Sequence, residues 1–169
     1  MKNMSITKKI TTLGIFVSLA MIFSYVEVLI PFNFGIPGIR LGLANLVIVT
    51  GLYSLKLNEV MTISIIRILI CGFLFGNGMS IIYSLAGGIL SFAAMALIKK
   101  TNIFSIVGVS VMGGVFHNVG QILSASIVMK TTVMAYYLPV LMIAGTVTGC
   151  LLGLIAKKIL SIQLKMHNY

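Results

Sequence analysis

Acidic residues are nearly absent from this chain. Of its 169 residues only Glu27 and Glu59 are acidic, and aspartate does not occur. Magnesium–diphosphate chemistry needs paired carboxylates, so two isolated glutamates cannot hold its magnesium cluster, and the chain shows no Ser/His/Asp set with an obvious acid. The chain also lacks an HExxH motif and a GxxxxGK[ST] phosphate loop. The sequence therefore predicts no enzyme, no metal site and no bound cofactor, and ATP-driven work would need a separate subunit.

Cysteine is scarce as well. Cys71 and Cys150 lie far apart within apolar stretches and form no CxxC pair. Neither a metal site nor a redox centre is indicated, and we expect both side chains to serve in packing.

Charge is missing from most of the chain's length. No charged residue lies between Arg67 and Lys99, between Lys100 and Lys130, or between Lys130 and Lys157. Charged residues make up 8% of the chain and hydrophobic ones 59%, whereas an aqueous domain has about 25% charged residues. The net charge of +10 comes from cations that flank the apolar segments, without the basic stripe that nucleic-acid binding requires. The sequence predicts an integral membrane protein that binds no nucleic acid.

The apolar segments have lengths suited to crossing a bilayer. About 20 apolar residues cross a hydrocarbon core of about 30 Å, and turn-rich strings separate the segments. The second and third segments are short for a span, which is compatible with tilt or a partly re-entrant path. We predict an all-α bundle of six transmembrane helices in a single domain, 1–169, with helices near 10–30, 41–56, 59–75, 79–98, 103–129 and 134–156.

The cations are distributed unevenly over the predicted loops. With the N-terminus inside, only Arg40 and Lys130 fall on the outer side. This asymmetry satisfies the positive-inside rule and predicts a multi-pass protein of a bacterial plasma membrane with both termini cytoplasmic. The cations on the cytoplasmic side would be Lys2, Lys8, Lys9, Lys56, Lys99, Lys100, Lys157, Lys158 and Lys165.

Small residues form two helix faces. Gly145, Gly149 and Gly153 recur every four residues in the last helix, where they allow a neighbouring backbone to approach, and we expect this neighbour to be another helix of the same chain. Gly14 and Ser18 form a similar face on the first helix. The sequence leaves open whether that face meets this chain or a partner protein.

Two charged residues lie inside predicted helices. Arg67 is about 12 Å from Glu59 along the third helix, and a buried arginine costs about 2.5 to 3.5 kcal/mol, so it should face the bundle interior. Glu27 is the acid of the outer half. A structural pair of Glu27 with Arg67 or Arg40 and a direct role in ligand binding both stay open.

The fifth helix carries a polar cluster of His117, Asn118 and Gln121, of which His117 and Gln121 share a face. These side chains form either a pocket wall or interhelical hydrogen bonds, and we favour the pocket. Other polar residues fall at the same predicted level, so the outer half would form a cavity suited to a small solute with negative charge or several carbonyls. For Tyr136 and Tyr137 we favour an interfacial belt. The additional candidates for the cavity are Asn33, Arg40, Asn45, Asn77 and Tyr83.

Three strings of the sequence carry a resemblance to a known family. They are IPGIRLGLAN at 36–45, YSLAGG at 83–88 and HNVGQ at 117–121. They resemble the Gx transporter family, which is also catalogued as heptaprenyl diphosphate synthase component I, over approximately 13–158. The resemblance implies a six-helix fold similar to the S components of energy-coupling factor transporters. Such subunits bind a vitamin-like molecule from outside and dock on a transmembrane coupling protein that carries cytosolic ATPases.

In this interpretation Gly14 and Ser18 would match the docking face of the first helix, where the family's relatives usually have alanine. The expected function is a substrate-binding membrane subunit for uptake of a small solute, with Arg40 and Arg67 attracting the ligand. Asn45 and the 117–121 cluster would orient it. The alternative is an accessory membrane subunit of prenyl diphosphate or quinone biosynthesis, or of a flavin- or quinone-linked redox system. A third interpretation is a proton-coupled carrier that uses His117 and Glu27.

Overall fold

The computed structural model describes residues 5–29 and 42–167, and within these ranges all regular structure is helical. A bilayer gives no water to unpaired backbone groups, so helices are the expected solution for these apolar segments. A short 3₁₀ helix, Val133–Tyr137, precedes the last element. The six α-helices are α1 (Ile6–Leu29), α2 (Asn45–Ser54), α3 (Leu57–Phe75), α4 (Gly78–Thr101), α5 (Ile106–Val128) and α6 (Leu138–His167).

The predicted all-helical membrane protein is confirmed, but its helices are not equivalent. Five helical segments are long and apolar enough to cross a membrane: α1, α3, α4, α5 and the stretch Val133–Met166 that contains α6. α2 has only 10 residues, so it is about 15 Å long and covers about half of a hydrocarbon core. The sequence had marked this segment as short, and a sixth complete span stays a prediction.

Polar residues set the helix boundaries. The Lys56 backbone N–H donates to Glu59 Oε2 at 3.0 Å at the start of α3. Asn77 Oδ1 accepts from the Ser80 backbone N–H at 2.8 Å at the start of α4, which satisfies an amide that the helix itself leaves open. Asn102 ends α4 in a left-handed conformation with φ 55°. These turns divide a nearly continuous apolar sequence into separate helices.

The helices run alternately up and down. An ion pair between Lys9 and Glu59 at 3.0 Å joins the first turns of α1 and α3, and the rings of Tyr25 and Phe75 meet near the opposite end, so these two helices are parallel. Of the described lysines only Lys130 lies at that opposite end. The others define the basic end of the bundle: Lys8, Lys9, Lys56, Lys99, Lys100, Lys157, Lys158 and Lys165.

The short helix α2 is the centre of the bundle. It contacts each of the other five α-helices, and every residue from Asn45 to Leu52 is buried. At the basic end its C-terminal turn is tied to two helices, because Lys99 Nζ donates to the Leu52 carbonyl and Ser54 Oγ donates to Gln163 Oε1. Its N-terminus therefore lies about 15 Å deeper, near the middle of the bilayer.

Close backbone packing joins α5 to α6. A Cβ added at Gly149 would lie 2.6 Å from Val111 Cα, and one added at Gly145 would lie 2.8 Å from the Gly114 carbonyl oxygen. The glycine face of the last helix is thus filled by a helix of the same chain, as the sequence analysis expected. Such proximity is how helices associate where lipid removes the hydrophobic driving force.

We expect Gly149→Leu to destabilise the protein, because the new side chain meets backbone atoms that cannot rotate away. Overpacking of this kind costs about 1–3 kcal/mol, which should lower the midpoint of thermal unfolding in detergent. The matched control is Gly14→Leu, since nothing lies within 4 Å of a Cβ added at Gly14. Equal unfolding midpoints for the two variants would contradict the packing described here.

Candidate functional site

Glu27 contacts the turn that leads into α2. The Gly42 backbone N–H donates to Glu27 Oε1 at 2.6 Å, in a buried position, and the Asn45 backbone N–H turns back to the Gly42 carbonyl at 2.8 Å. The N-terminus of a helix carries partial positive charge, so a carboxylate is favourable there. Glu27 is 9% exposed, and this position provides the polar environment that a buried carboxylate requires.

His117 of α5 packs against the same turn. A Cβ added at Gly42 would lie 3.1 Å from Asn45 Nδ2 and 3.2 Å from His117 Cδ2, and Gly42 has φ +84°. Both the backbone conformation and the space require glycine. Asn45 is 4% exposed, and its Nδ2 has no hydrogen-bond partner among the described residues.

Helix α4 forms the next wall. A Cβ added at Gly87 would lie 2.7 Å from the His117 carbonyl oxygen and 2.9 Å from Gln121 Cγ, so α4 and α5 approach closely beside both side chains. Tyr83 lies one turn from Gly87 on the same face of α4. Tyr83 is fully buried, and its hydroxyl has no hydrogen-bond partner in the part of the chain that is described.

Arg67 reaches the cluster from α3. It is 5% exposed, and its Nη1 donates to Ser24 Oγ of α1 at 3.3 Å. Ser24 is one helical turn from Glu27, so α1 links the guanidinium to the carboxylate and the α2 turn. Arg67 thus faces the bundle interior, where its charge is separated from lipid.

Together these residues form the α2-entry cluster, a polar region near the bilayer midplane. His117 is about 17 Å from the first residue of α5. Glu27 and Arg67 contribute opposite charges, while an amide nitrogen and a phenol hydroxyl have hydrogen bonds still to make. A donor such as Asn45 Nδ2 pairs with carbonyl or anionic oxygen. The members of the α2-entry cluster are Ser24, Glu27, Gly42, Asn45, Arg67, Tyr83, Gly87, His117 and Gln121.

Two predicted site residues have other roles in the structure. Asn118 is directed to α6, where its Nδ2 donates to the Leu141 carbonyl, so it forms the interhelical hydrogen bond that the sequence analysis ranked second. Asn77 is exposed and caps α4 through Ser80. The reason is local in both cases: Asn118 is rotated by about 100° from His117, and an asparagine before a helix satisfies its first amides.

Asn33 and Arg40 lie outside the described residues. Gly14 and Ser18 are exposed, and Tyr136 is 83% exposed beside Tyr137. Among the described residues no group of three His, Cys, Asp or Glu side chains could hold a metal ion.

Three members of the cluster were not predicted. Ser24 supports Arg67, Gly42 supplies the N–H for Glu27, and Gly87 lets α4 approach His117. Gly42 and Gly87 do occur in the strings that carried the family resemblance. Ser24 has a weaker signal, since a serine one turn before a buried glutamate could only be recognised once both were known to face inward.

The comparison with protein families agrees with the resemblance to heptaprenyl diphosphate synthase component I, while the similarity to S components of energy-coupling factor transporters stays a prediction. Residues 16–159 match the family described as heptaprenyl diphosphate synthase component I. The chain belongs to this family. The comparison with curated proteins and that with solved structures gave no match. The matched range contains the whole α2-entry cluster.

We expect Asn118→Ala to lower stability, because it removes a hydrogen bond between α5 and α6. Interhelical hydrogen bonds in membranes contribute about 0.6–2 kcal/mol, and the loss can be measured by unfolding in mixed micelles. Asn58→Ala is the matched control, since Asn58 is exposed at the start of α3. A stability of Asn118→Ala equal to that of the control would refute the interhelical role.

Proposed function

We propose that this protein is the membrane-embedded substrate-binding subunit of a small-molecule uptake system. The observation that carries the proposal is the α2-entry cluster, in which helices α1 to α5 bring buried polar side chains to one place near the middle of the bilayer. Sites of this kind, at the end of a discontinuous helix near the midplane, are where membrane transporters hold their substrates.

The polarity of the cluster favours a ligand. A buried polar atom without a partner costs about 1–3 kcal/mol, and Asn45 Nδ2 and Tyr83 Oη both lack partners among the described residues. Their hydrogen bonds would suit a solute with carbonyl, carboxylate or phosphate oxygens. Arg67 adds a positive charge that attracts such a solute, and the negative charge of Glu27 limits the net positive charge of the cluster.

The distribution of lysines supports one orientation. Placing the basic end in the cytoplasm satisfies the positive-inside rule and puts both termini inside. The chain must then cross the membrane a second time between the end of α1 and the start of α3. α2 spans about half of that crossing. In this proposal the chain makes six membrane passages, and a solute reaches the cluster from the outside.

The energy would come from partner ATPase subunits, because the chain has no phosphate loop. The exposed face of α1 around Gly14 and Ser18 is the surface we assign to a transmembrane coupling protein. Small residues there permit close approach of a partner helix.

The family description favours a second candidate, an accessory membrane component of prenyl diphosphate or quinone biosynthesis. A chain without aspartate would not supply the metal-binding carboxylates of a prenyl synthase, so its role would be to hold a partner enzyme or an apolar substrate at the membrane. This candidate requires no solute in the α2-entry cluster.

Tyr83→Phe should weaken retention of the solute about 3- to 10-fold, since it removes one hydrogen bond. The fold should be unaffected, because that hydroxyl makes no bond to the described part of the protein. Native mass spectrometry of protein released from mild detergent measures what is retained. Tyr136→Phe, at an exposed tyrosine, is the matched control.

Arg67→Ala should abolish retention, whereas Asn118→Ala should lose stability and keep the solute, which separates binding from folding. Full retention by both Tyr83→Phe and Arg67→Ala would reject the proposed site. Co-purification with a soluble prenyl synthase, with no solute in the wild-type protein, would favour the second candidate instead.

A further inference from the structure

A groove separates α1 from α6 on the outside of the bundle. It has a volume of about 500 Å³, within the range of about 300–1,000 Å³ that ligand pockets occupy. α2 forms its floor. The lining residues are Phe16, Leu19, Phe23, Leu46, Val47, Thr50, Ser54, Ile159, Ile162, Gln163 and Met166.

None of the described residues fills this groove. No Cα atom of α1 lies within 8 Å of a Cα atom of α6 in the ranges 5–29 and 42–167. The walls are apolar except near the basic end, where Ser54 Oγ is already bonded to Gln163 Oε1 at 3.1 Å. Apolar clefts do not hold ordered water. Because the groove lies along membrane-spanning helices, a lipid acyl chain is available to fill it.

Cations flank the groove at the basic end. Lys8 lies on the face of α1 that carries Leu19, about three turns earlier. On α6, Lys158 and Lys165 lie about a quarter turn from the lining stripe, while Lys157 lies on the opposite face. All four side chains are exposed. Basic pockets between transmembrane helices on the cytoplasmic side are typical sites for anionic lipid headgroups.

We propose that this groove is a binding site for one anionic phospholipid of the leaflet at the basic end. One acyl chain lies on α2 between α1 and α6, and the phosphate headgroup lies among Lys8, Lys158 and Lys165. The lipid supplies the packing that α1 lacks on its α6 side, so it holds α1 in the bundle. This site is separate from the α2-entry cluster and does not depend on the transport proposal.

The test uses full-length protein in nanodiscs of phosphatidylglycerol and phosphatidylcholine, extracted into mild detergent and examined by native mass spectrometry. We expect one retained phosphatidylglycerol per chain. Replacing Lys8, Lys158 and Lys165 by glutamine should weaken retention roughly fivefold for each lysine removed, while Lys157→Gln has little effect. Ile159→Trp should fill the groove and displace the lipid, and Leu154→Trp, outside the lining stripe, should not.

Equal retention of phosphatidylcholine, or unchanged retention after the three lysine replacements, would overturn the proposal. So would competition in which farnesyl diphosphate displaces phosphatidylglycerol from the wild-type protein, because the groove would then be a prenyl site. The lysine variants keep the test decisive if Ile159→Trp does not fold, since exposed lysines can be changed without altering the packing.

Discussion

The fold depends on the hydrogen bond between the Gly42 backbone N–H and the Glu27 carboxylate. α2 begins near the bilayer midplane, and its first amides bond to the carbonyls of Gly42, Leu43 and Ala44 in the turn before it. Glu27 of α1 accepts from the Gly42 N–H of the same turn at 2.6 Å. A helix that starts in mid-membrane is thus stabilised by a buried charge on its neighbour, and the same charge is stabilised by the helix N-terminus.

This arrangement determines where the other polar groups gather. Because α2 contacts all five remaining helices, side chains around its N-terminus come from α1, α3, α4 and α5 at one level. Glycine makes the convergence possible, since Gly42 and Gly87 admit His117 to within van der Waals distance of two chain segments. A polar cluster near the midplane is therefore a geometric consequence of a half-length helix at the centre of the bundle.

Much of the fold could be predicted from the sequence, and less of the site. Charge-free stretches and turn strings located the helices, and the periodic glycines of α6 located its partner surface, because these signals act within one helix. The direction of a single side chain is different. Asn118 and His117 are adjacent in sequence yet face different helices, and Asn77 looked like a pocket residue although it caps α4. Such directions depend on helix rotation, which follows from packing against neighbours that periodicity alone does not specify.

The separation of polar and apolar regions within the bundle bears on the choice between functions. The α2-entry cluster holds the buried charges of Glu27 and Arg67. It also holds Asn45 Nδ2 and Tyr83 Oη, two buried donors without a partner among the described residues, and it is the region suited to a water-soluble molecule. The groove between α1 and α6 is lined mainly by apolar side chains and is flanked by exposed lysines, which suits an amphiphile. One short helix forms both, with its N-terminus at the first and one side along the second. Occupancy of the groove therefore positions α1, and α1 carries Glu27, so a lipid in the groove and a solute in the cluster would act on the same helix.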